Sequence, residues 1–249
     1  MVLNQTTPKS ATPSADWPPL WPATAHLWWL KLSPLDEGGS DDILSPDERL
    51  RAQRLRRPGA ASRFRLGRAG LRRILAGYLG MPPQALRLAY QRNGKPYLPD
   101  APRISFSLSH AGDAGLLAVA DGRRVGADVE LLGQPRRWLA IARRCLPKSE
   151  LQRLWALPED ERPRAVQRCW TRQEAFLKAS GQAALRRLLR LEMPCAAGSG
   201  RFTIRDAQGC RWLTQDVSQS SAVGALVVER QRGERIEVLS FAWPGRDRL

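Results

Sequence analysis

The sequence predicts an α+β fold of two similar lobes, each with helices packed on an antiparallel sheet. In the first half a strand pattern is followed by helical patterns and then by further strand patterns, and the second half repeats this order. The turn Asp121-Gly122-Arg123 separates the two halves. With 249 residues the chain can form one large domain or two small ones. The predicted parts are a loose, Pro-rich tail at 1–22, an N-terminal lobe at 23–122 and a C-terminal lobe at 123–249.

Caps and chain breaks mark the elements of the first half. Ser45 precedes a proline and two acids, which is typical of a helix N-terminus. Pro58-Gly59 ends that helix, and Asn93-Gly94 between apolar runs indicates a hairpin. In the second helix the apolar residues are expected to face the core and the arginines the opposite side. The predicted elements are strands at Ala25–Leu32, Leu86–Tyr90, Pro96–Leu98, Ile104–Ser109 and Gly115–Ala120, and helices from Ser45 to about Arg57 and from about Ala60 to Leu79.

The second half follows the same plan. A strand at Arg124–Leu131 begins it, and a long helix is expected to stop at Gly181. The other predicted elements are helices at Pro135–Arg144, Lys148–Trp155 and about Arg164–Ser180, and strands near Phe202–Arg205, Cys210–Thr214, Ala222–Glu229 and Arg235–Phe241.

The positive charge of the chain is large and concentrated. The formal net charge is +16, ten arginines lie between Arg49 and Arg73, and no acidic residue occurs from Arg49 to Pro99. A field of this sign attracts nucleic acid, phosphate esters or an acidic protein.

Cysteine spacing and hydropathy indicate the compartment. The four cysteines are far apart and the chain has two histidines, so we expect reduced thiols rather than a zinc site or a disulfide framework. The sequence shows no signal-peptide pattern and no apolar run near the roughly 20 residues that a membrane span needs. We therefore expect a cytoplasmic protein with no membrane partner.

A pair of carboxylates lies on the strand Gly126-Ala127-Asp128-Val129-Glu130. Residues two apart on a strand share a face, so Asp128 and Glu130 are expected to point the same way, beside a glycine that permits close approach to the backbone. Two neighbouring carboxylates repel, and a bound cation relieves that repulsion. A solvated strand face has the same pattern.

Three further motifs carry polar side chains. Glu174 and Lys178 lie four apart on a helix and therefore share a face, as ordinary surface pairs also do. Ser109-His110 ends a strand before a turn, where it can hold a phosphate or can be a loop histidine without a role. In Gly94-Lys95-Pro96 the proline stiffens the tip of the predicted hairpin, although an exposed lysine there can also serve solubility alone.

Taken in order and spacing, these four motifs resemble the 4′-phosphopantetheinyl transferase superfamily, in its single-chain, two-lobed type that includes the enzyme activating surfactin synthetase. The similarity covers about Ser45–Gly181 and is strongest over Asn93–Glu130 and Trp170–Gly181. It implies a pseudo-twofold monomer with the active site between the lobes. It also implies a holo-[acyl-carrier-protein] synthase type of reaction, in which the phosphopantetheine arm of coenzyme A moves to a serine of an acidic acyl or peptidyl carrier protein and adenosine 3′,5′-bisphosphate is released. The carrier could serve fatty acid, polyketide or nonribosomal peptide synthesis.

The resemblance assigns the metal and catalytic residues. Asp128, Glu130 and Glu174 would bind Mg²⁺ on the pyrophosphate of coenzyme A, and oxygen-only ligands suit that ion. Lys178 would contact the phosphates. Glu174 or a metal-bound water would deprotonate the carrier serine, which makes Asp128, Glu174 and Lys178 the catalytic set.

The resemblance also assigns the residues around the adenosine 3′-phosphate. These are the cationic and hydroxyl side chains of the first half together with the proline of the hairpin. They are Arg51, Arg63, Lys95, Pro96, Ser109 and His110.

Two positions depart from the family pattern. Gln173 stands where many relatives have lysine, so one phosphate contact is expected to be lost unless the neighbouring Arg172 replaces it. Glu48 stands where a relative has a basic residue.

Two alternatives remain open. The arginine-rich region is compatible with a nucleic-acid-binding module, although no helix-turn-helix, zinc-finger or aromatic RNA-binding motif accompanies it. The acid triad favours the enzyme, for which no nucleic-acid partner is expected. An inactive relative that only binds carrier proteins is the second alternative, and the intact triad argues against it.

Overall fold

A computed structural model of the protein describes residues 17–33, 41–133, 138–181, 193–194 and 200–243. In these ranges the chain forms two four-stranded sheets, a two-stranded sheet of Ala89–Tyr90 and Pro96–Tyr97, and five α-helices. The α+β class is confirmed. The helices are α1 Pro46–Gln53, α2 Ala60–Leu79, α3 Trp138–Cys145, α4 Lys148–Trp155 and α5 Arg162–Ser180, and single 3-10 turns lie at Asp41–Ile43 and Pro83–Ala85. The strands are β1 Thr24–Lys31, β2 Ala89–Tyr90, β3 Pro96–Tyr97, β4 Ile104–Ala111, β5 Ala114–Asp121, β6 Val125–Leu131, β7 Arg201–Arg205, β8 Arg211–Asp216, β9 Ala222–Arg230 and β10 Glu237–Trp243.

The first sheet has the strand order β10-β1-β5-β4 and is mixed. Strands β1, β5 and β4 pair antiparallel, but β10 pairs parallel with β1, with Thr24 opposite Glu237. The expectation of an antiparallel sheet in each half is therefore wrong for this sheet. Since β10 comes from the end of the chain, the C-terminal segment returns across the predicted boundary at 122–123. A parallel connection of this length gives no local sequence signal.

The second sheet, β6-β9-β8-β7, is antiparallel, and it packs against the first sheet. Apolar residues from the facing sides of both sheets form one buried cluster, which includes Leu27 and Ala118 from the first sheet and Val125 and Leu226 from the second. Helix α2 covers the outer face of the first sheet and α5 covers the outer face of the second. The order of layers is thus helix, sheet, sheet, helix. A pseudo-twofold relation between the halves stays a prediction.

Helices α1 and α2 are joined by a buried ion cluster. Ser45 and Glu48 form a reciprocal capping box at the start of α1. The Glu48 carboxylate also accepts from Arg72 Nε at 2.7 Å and lies 3.6 Å from Arg68 Nε. Both arginines of α2 are buried, so the expectation that its arginines lie on the side away from the core is wrong for these two. Helix α1 ends at Gln53 rather than at Arg57.

Aromatic rings pack the N-terminal segment onto the first sheet. Trp17 stacks on Trp243, with ring centroids 6.1 Å apart, and contacts Tyr78 of α2 at 5.6 Å. A Cβ at Gly77 would lie 1.9 Å from the Trp17 ring, so this glycine provides the space for it. The prediction of a loose tail through residue 22 is therefore wrong from Trp17 onward, because the indole is packed among other rings. Residues 1–16 lie outside the described residues.

The described cysteines partly contradict the expectation of reduced thiols. Cys145 and Cys210 are free, but Cys169 is disulfide-bonded. In the part of the chain that the structure describes, the helices are too short or too polar to cross a membrane.

A buried histidine is held neutral beneath α2. His26 Nδ1 and Tyr78 Oη lie 2.6 Å apart, and Trp28 Nε1 donates to the same oxygen at 2.9 Å. The tyrosine oxygen accepts from the indole, and the direction of its hydrogen bond with His26 is set by the tautomer of the imidazole. Burial lowers the pKa of His26 from 6.5 to about 4.

We predict that the free energy of unfolding falls with acidification because of His26. Above pH 6.5 the imidazole is neutral in both states, whereas between pH 6.5 and 4 only the unfolded state takes up the proton. At one pKa unit per ~1.36 kcal/mol, the loss between pH 7 and pH 5 is about 2 kcal/mol. Urea titrations of wild type and His26→Gln at both pH values measure it. The variant should lack this part of the pH dependence, and equal pH dependence in both proteins would contradict the prediction.

Candidate active site

Helix α5 lies directly on strand β6 because Gly126 has no side chain. A Cβ at this glycine would lie 2.0 Å from Ala175 O and 2.5 Å from Ala179 N, both backbone atoms of α5. Asp128 follows two residues later on the same face of β6. Glu174 precedes Ala175 on the helix, so the close contact brings the acids of the strand beside the acid of the helix.

Strand β4 lines the edge of β6 with hydroxyl groups. Ser107 Oγ accepts from Ala127 N at 3.1 Å, and Ser109 Oγ donates to Asp128 Oδ1 at 2.7 Å. The alternate residue Phe106 enters the core beneath α2. The predicted strand is confirmed, but both of these serines are buried, since they face β6 rather than solvent.

Lys178 closes the polar cluster around Asp128. Its Nζ donates to Asp128 Oδ1 at 2.7 Å and to Ser109 Oγ at 2.9 Å. The predicted catalytic lysine, the predicted metal ligand and the predicted phosphate-binding serine therefore meet in one network. Asp128 Oδ2 is buried and has no hydrogen-bond partner among the described residues.

A cavity of about 640 Å³ lies where the first half meets α5. Its walls come from α1, α2, the hairpin between β2 and β3, strand β4 and α5. Asp128 borders it through Ser109 and Lys178. Arg63 is turned elsewhere, with Nε 2.8 Å from Asp113 Oδ1, and its predicted phosphate contact stays a prediction. The predicted site residues on the cavity wall are Arg51, Lys95, Pro96, Ser109, His110, Glu174 and Lys178.

The hairpin tip caps the C-terminus of α5. Lys95 Nζ donates to Lys178 O at 2.6 Å and to Val125 O at 3.0 Å, while Asn93 Nδ2 donates to Gly181 O at 3.1 Å. Carbonyls at a helix C-terminus lack partners within the helix and carry partial negative charge, so a cation is favourable there. Burial, and then the charges of nearby Arg124 and Lys178, lower the pKa of Lys95 to about 8. The contact of Lys95 with a ligand phosphate stays a prediction.

The donor set at one end of the cavity fits Mg²⁺. Burial raises the pKa of Glu174, and the charges of Asp128 and Glu130 raise it further, against the opposing effect of Lys178. Asp128 and Glu130 are thus close enough to Glu174 to act on its charge, and the unpartnered oxygen of Asp128 is a donor of the kind that a hard cation prefers. In the described ranges no three His, Cys, Asp or Glu side chains are placed so that they could hold a metal ion together. Asp128 is instead paired with Lys178.

Two neighbours of Glu174 do not reach the cavity. Arg172 is fully buried and forms a two-pronged ion pair with Asp216, at 2.8 and 2.6 Å. The hypothesis that it replaces a lost phosphate contact is therefore wrong. Gln173 is also buried, with Nε2 3.4 Å from Cys145 O on the side of α3. A neutral glutamine can be buried at this position. The charged ammonium group of a lysine in the same place would lose its hydration.

Two residues of the cavity wall, Arg68 and Phe64, were predicted to lie elsewhere. Arg68 was expected on the side of α2 away from the core and Phe64 in the core, but both line the cavity. Their spacing indicates that the two side chains share one face of α2, because position 64 lies four residues before position 68. Without the fold, neither could be related to the motifs of the second half.

The fold and site define an α+β protein with a cavity where the first half meets α5, lined by several cationic side chains and by Glu174. Comparisons with known proteins identify the family. The sequence model of the 4′-phosphopantetheinyl transferase superfamily matches residues 124–227. The 4′-phosphopantetheinyl transferase HetI of Nostoc sp. is 38% identical over 164 residues, which are 63% of this chain and 68% of that protein. The chain belongs to the 4′-phosphopantetheinyl transferase superfamily.

Two further relatives match over a smaller share of their length. The putative 4′-phosphopantetheinyl transferase slr0495 of Synechocystis sp. is 35% identical over 58% of this chain and 59% of its own length. The 4′-phosphopantetheinyl transferase Sfp of Bacillus subtilis is 30% identical over 56% of this chain and 61% of its own length. The chain therefore matches about three fifths of these two proteins, and the resemblance drawn from the four motifs is confirmed.

We predict that Gly126→Ala loosens α5 from β6. The added methyl group would meet backbone atoms that cannot rotate away, and overpacking of this kind costs about 1–3 kcal/mol. Urea denaturation should show this loss, and amide exchange should be faster at 174–179. Gly67→Ala is the matched control, because its Cβ would meet Leu108 at an ordinary 3.7 Å and alanine favours helix by about 1 kcal/mol. Equal stability of Gly126→Ala and wild type would contradict the prediction.

Proposed function

We propose that the protein transfers the 4′-phosphopantetheine arm of coenzyme A to a serine of an acyl or peptidyl carrier protein. The network that joins Lys178, Asp128 and Ser109 carries this proposal, because it unites three separate sequence motifs at one end of a cavity. The family membership supports the same reaction class. The carrier is proposed to be acidic, since the protein has a net charge of +16.

Cationic side chains would hold the phosphates of coenzyme A. Arg51 and His110 face the cavity from the first half, and Lys178 faces it from α5. Guanidinium and ammonium groups bind phosphate through short, charge-assisted hydrogen bonds. A cavity of about 640 Å³ is within the usual size range of small-ligand sites.

The reaction would need one proton acceptor and stabilisation of the leaving group. Asp128, Glu130 and Glu174 would hold Mg²⁺, which when bound offsets negative charge on the pyrophosphate. Glu174 would accept the proton of the serine hydroxyl, whose oxygen then forms a bond to the β-phosphorus. The bond from this phosphorus to the bridging oxygen breaks, and adenosine 3′,5′-bisphosphate leaves with the electron pair. Lys178 would stay on the phosphate oxygens and hold them in position.

The arrangement of arginines favours this function over polyanion binding. Arg68 and Arg72 are buried, and Arg63 and Arg65 pair with Asp113 and Asp41. A substantial part of the arginine-rich region thus stabilises the fold and is not displayed to a nucleic acid. The exposed guanidinium of Arg51, by contrast, is at the cavity.

We predict that an apo carrier protein gains the mass of one phosphopantetheine when mixed with this protein, coenzyme A and Mg²⁺. Intact-protein mass spectrometry measures the gain, and EDTA should abolish it. Glu174→Gln should lower the transfer rate at least about 100-fold, because it removes a carboxylate beside the reacting groups. Carrier binding, measured separately, should persist in the variant.

The exposed Glu159→Gln, outside the cavity, is the matched control and should transfer at the wild-type rate. No mass gain with several unrelated carriers would contradict the transferase. Carrier binding without transfer would then identify an inactive relative, and tight binding of duplex DNA without coenzyme A binding would identify a nucleic-acid-binding module.

A further inference from the structure

A second cavity, of about 570 Å³, adjoins the active-site cavity and has no part in the proposed reaction. Its walls come from the hairpin of β2 and β3, the start of β4, the turn between β5 and β6, and the end of α5. The two cavities have Lys95, Pro96 and Phe106 in common. The volume of the second cavity is within the usual range of small-ligand sites, so its lining can indicate the kind of ligand.

Apolar side chains form much of the wall of the second cavity. They come from the hairpin and from β4 and the segment before it, and they include Tyr97, Leu98, Pro102 and Ile104. Tyr97 is 40% exposed, which is unusual for a large apolar side chain in the described ranges. Small-ligand sites combine an apolar wall with a few polar groups that fix the orientation of the ligand. This wall therefore fits a ligand with an apolar body.

The charged groups of the wall include one cation more than their carboxylate partners. Each of the three arginines pairs with a carboxylate of its own. These pairs are Arg103 with Asp121, Arg123 with Glu234, and Arg124 with Glu229. Lys95 is the fourth cation, and its ammonium group has only carbonyl partners among the described residues, Lys178 O and Val125 O. A half-buried charge without a counter-charge is costly, so the wall favours a ligand with a single negative charge.

Two N–H groups remain available to such an anion. Lys95 Nζ carries three N–H bonds and donates two of them to carbonyls, so one is left. Arg123 Nε is buried and has no hydrogen-bond partner in the described part of the chain, since the pair with Glu234 is made through NH2. A buried donor without a partner is unfavourable, and an anion that accepts from it removes this cost.

We propose that the second cavity is an effector site for a small organic monoanion with an apolar body, and that its occupation weakens ligand binding in the active-site cavity. The one remaining N–H of Lys95 can serve only one of the two cavities at a time. An anion that accepts from it in the second cavity withdraws it from a phosphate in the active-site cavity. Coupling between two sites is reciprocal, so each ligand weakens the other by the same factor. The coupling rests on the proposed function, whereas the effector site does not.

Fluorescence titration of the full chain with 8-anilinonaphthalene-1-sulfonate tests the site, because this dye combines an apolar body with one sulfonate. We expect saturable binding of one dye molecule. Arg123→Met should weaken it about 10-fold, through the loss of a charge-assisted hydrogen bond. Glu234→Gln is the matched control, since it breaks the same ion pair but keeps the guanidinium group, and its affinity should not fall. The absence of saturable binding, an unchanged affinity in Arg123→Met, or an equal loss in both variants would overturn the inference.

Two further measurements establish which cavity holds the dye and what it recognises. Arg51 lines only the active-site cavity, so Arg51→Met should bind the dye as wild type does. A loss of affinity in this variant would place the dye in the active-site cavity and overturn the inference. Octanoate should displace the dye, and acetate at the same concentration should not, because only octanoate has an apolar body. Equal displacement by both would likewise overturn it.

The coupling is measured by titrating the dye with and without saturating coenzyme A. The dissociation constant of the dye should rise at least about fivefold in wild type, and it should stay unchanged in Lys95→Met, which lacks the shared donor. An equal rise in Lys95→Met, or no rise in a wild type that binds coenzyme A, would overturn the coupling. A wild type that does not bind coenzyme A would overturn the proposed function, while the dye titrations would still decide the effector site.

Discussion

The site depends on the contact between two backbones, that of α5 and that of β6 at Gly126. Helix and sheet usually lie farther apart because side chains separate them, but here a Cβ would meet Ala175 O at 2.0 Å. The strand repeats its face every two residues and the helix every four. Where the two surfaces touch, the strand presents Asp128 and the helix presents Glu174 and Lys178, one turn apart. A single missing side chain therefore sets the separation of groups that are far apart in sequence.

Several of the positive charges of the protein are buried and paired. From the net charge alone the protein would be expected to be basic over its whole surface. Ten arginines within 25 positions would likewise be expected to be exposed. In the structure Glu48 draws two of them inward, and Arg172 is drawn inward by Asp216 in the other half. Buried pairs of this kind contribute little net stability, but removing one partner is costly. Their effect is to hold α1 on α2 and α5 on the second sheet.

Local sequence signals predicted most helices and strands well. They did not predict which distant parts of the chain these helices and strands pack against. Helix α2 occupies Ala60–Leu79 as predicted, because Gly59 and Gly80 bound a clear apolar period. Residues from three of the four motifs also line one cavity, and these could be singled out because the motifs carry their own chemistry. The pairing of β10 with β1, and the burial of Glu48, Arg68 and Arg72, could not be predicted. These features depend on partners brought together by the fold, and an arginine has the same sequence pattern whether it is exposed or paired in the core.

Helix α5 is held in place by contacts at several points, and these contacts fix the positions of the side chains that the helix presents to the cavity. Arg172 fixes its middle to Asp216 and Pro194, and Lys95 donates to Lys178 O near its end. Burial, and then the charges of Arg124 and Lys178, lower the pKa of Lys95. Lys95 also lines the cavity, so a ligand phosphate and the end of α5 would compete for one cation. Since Lys178 belongs to that same end, a ligand phosphate bound by Lys95 would also act on the position of Lys178.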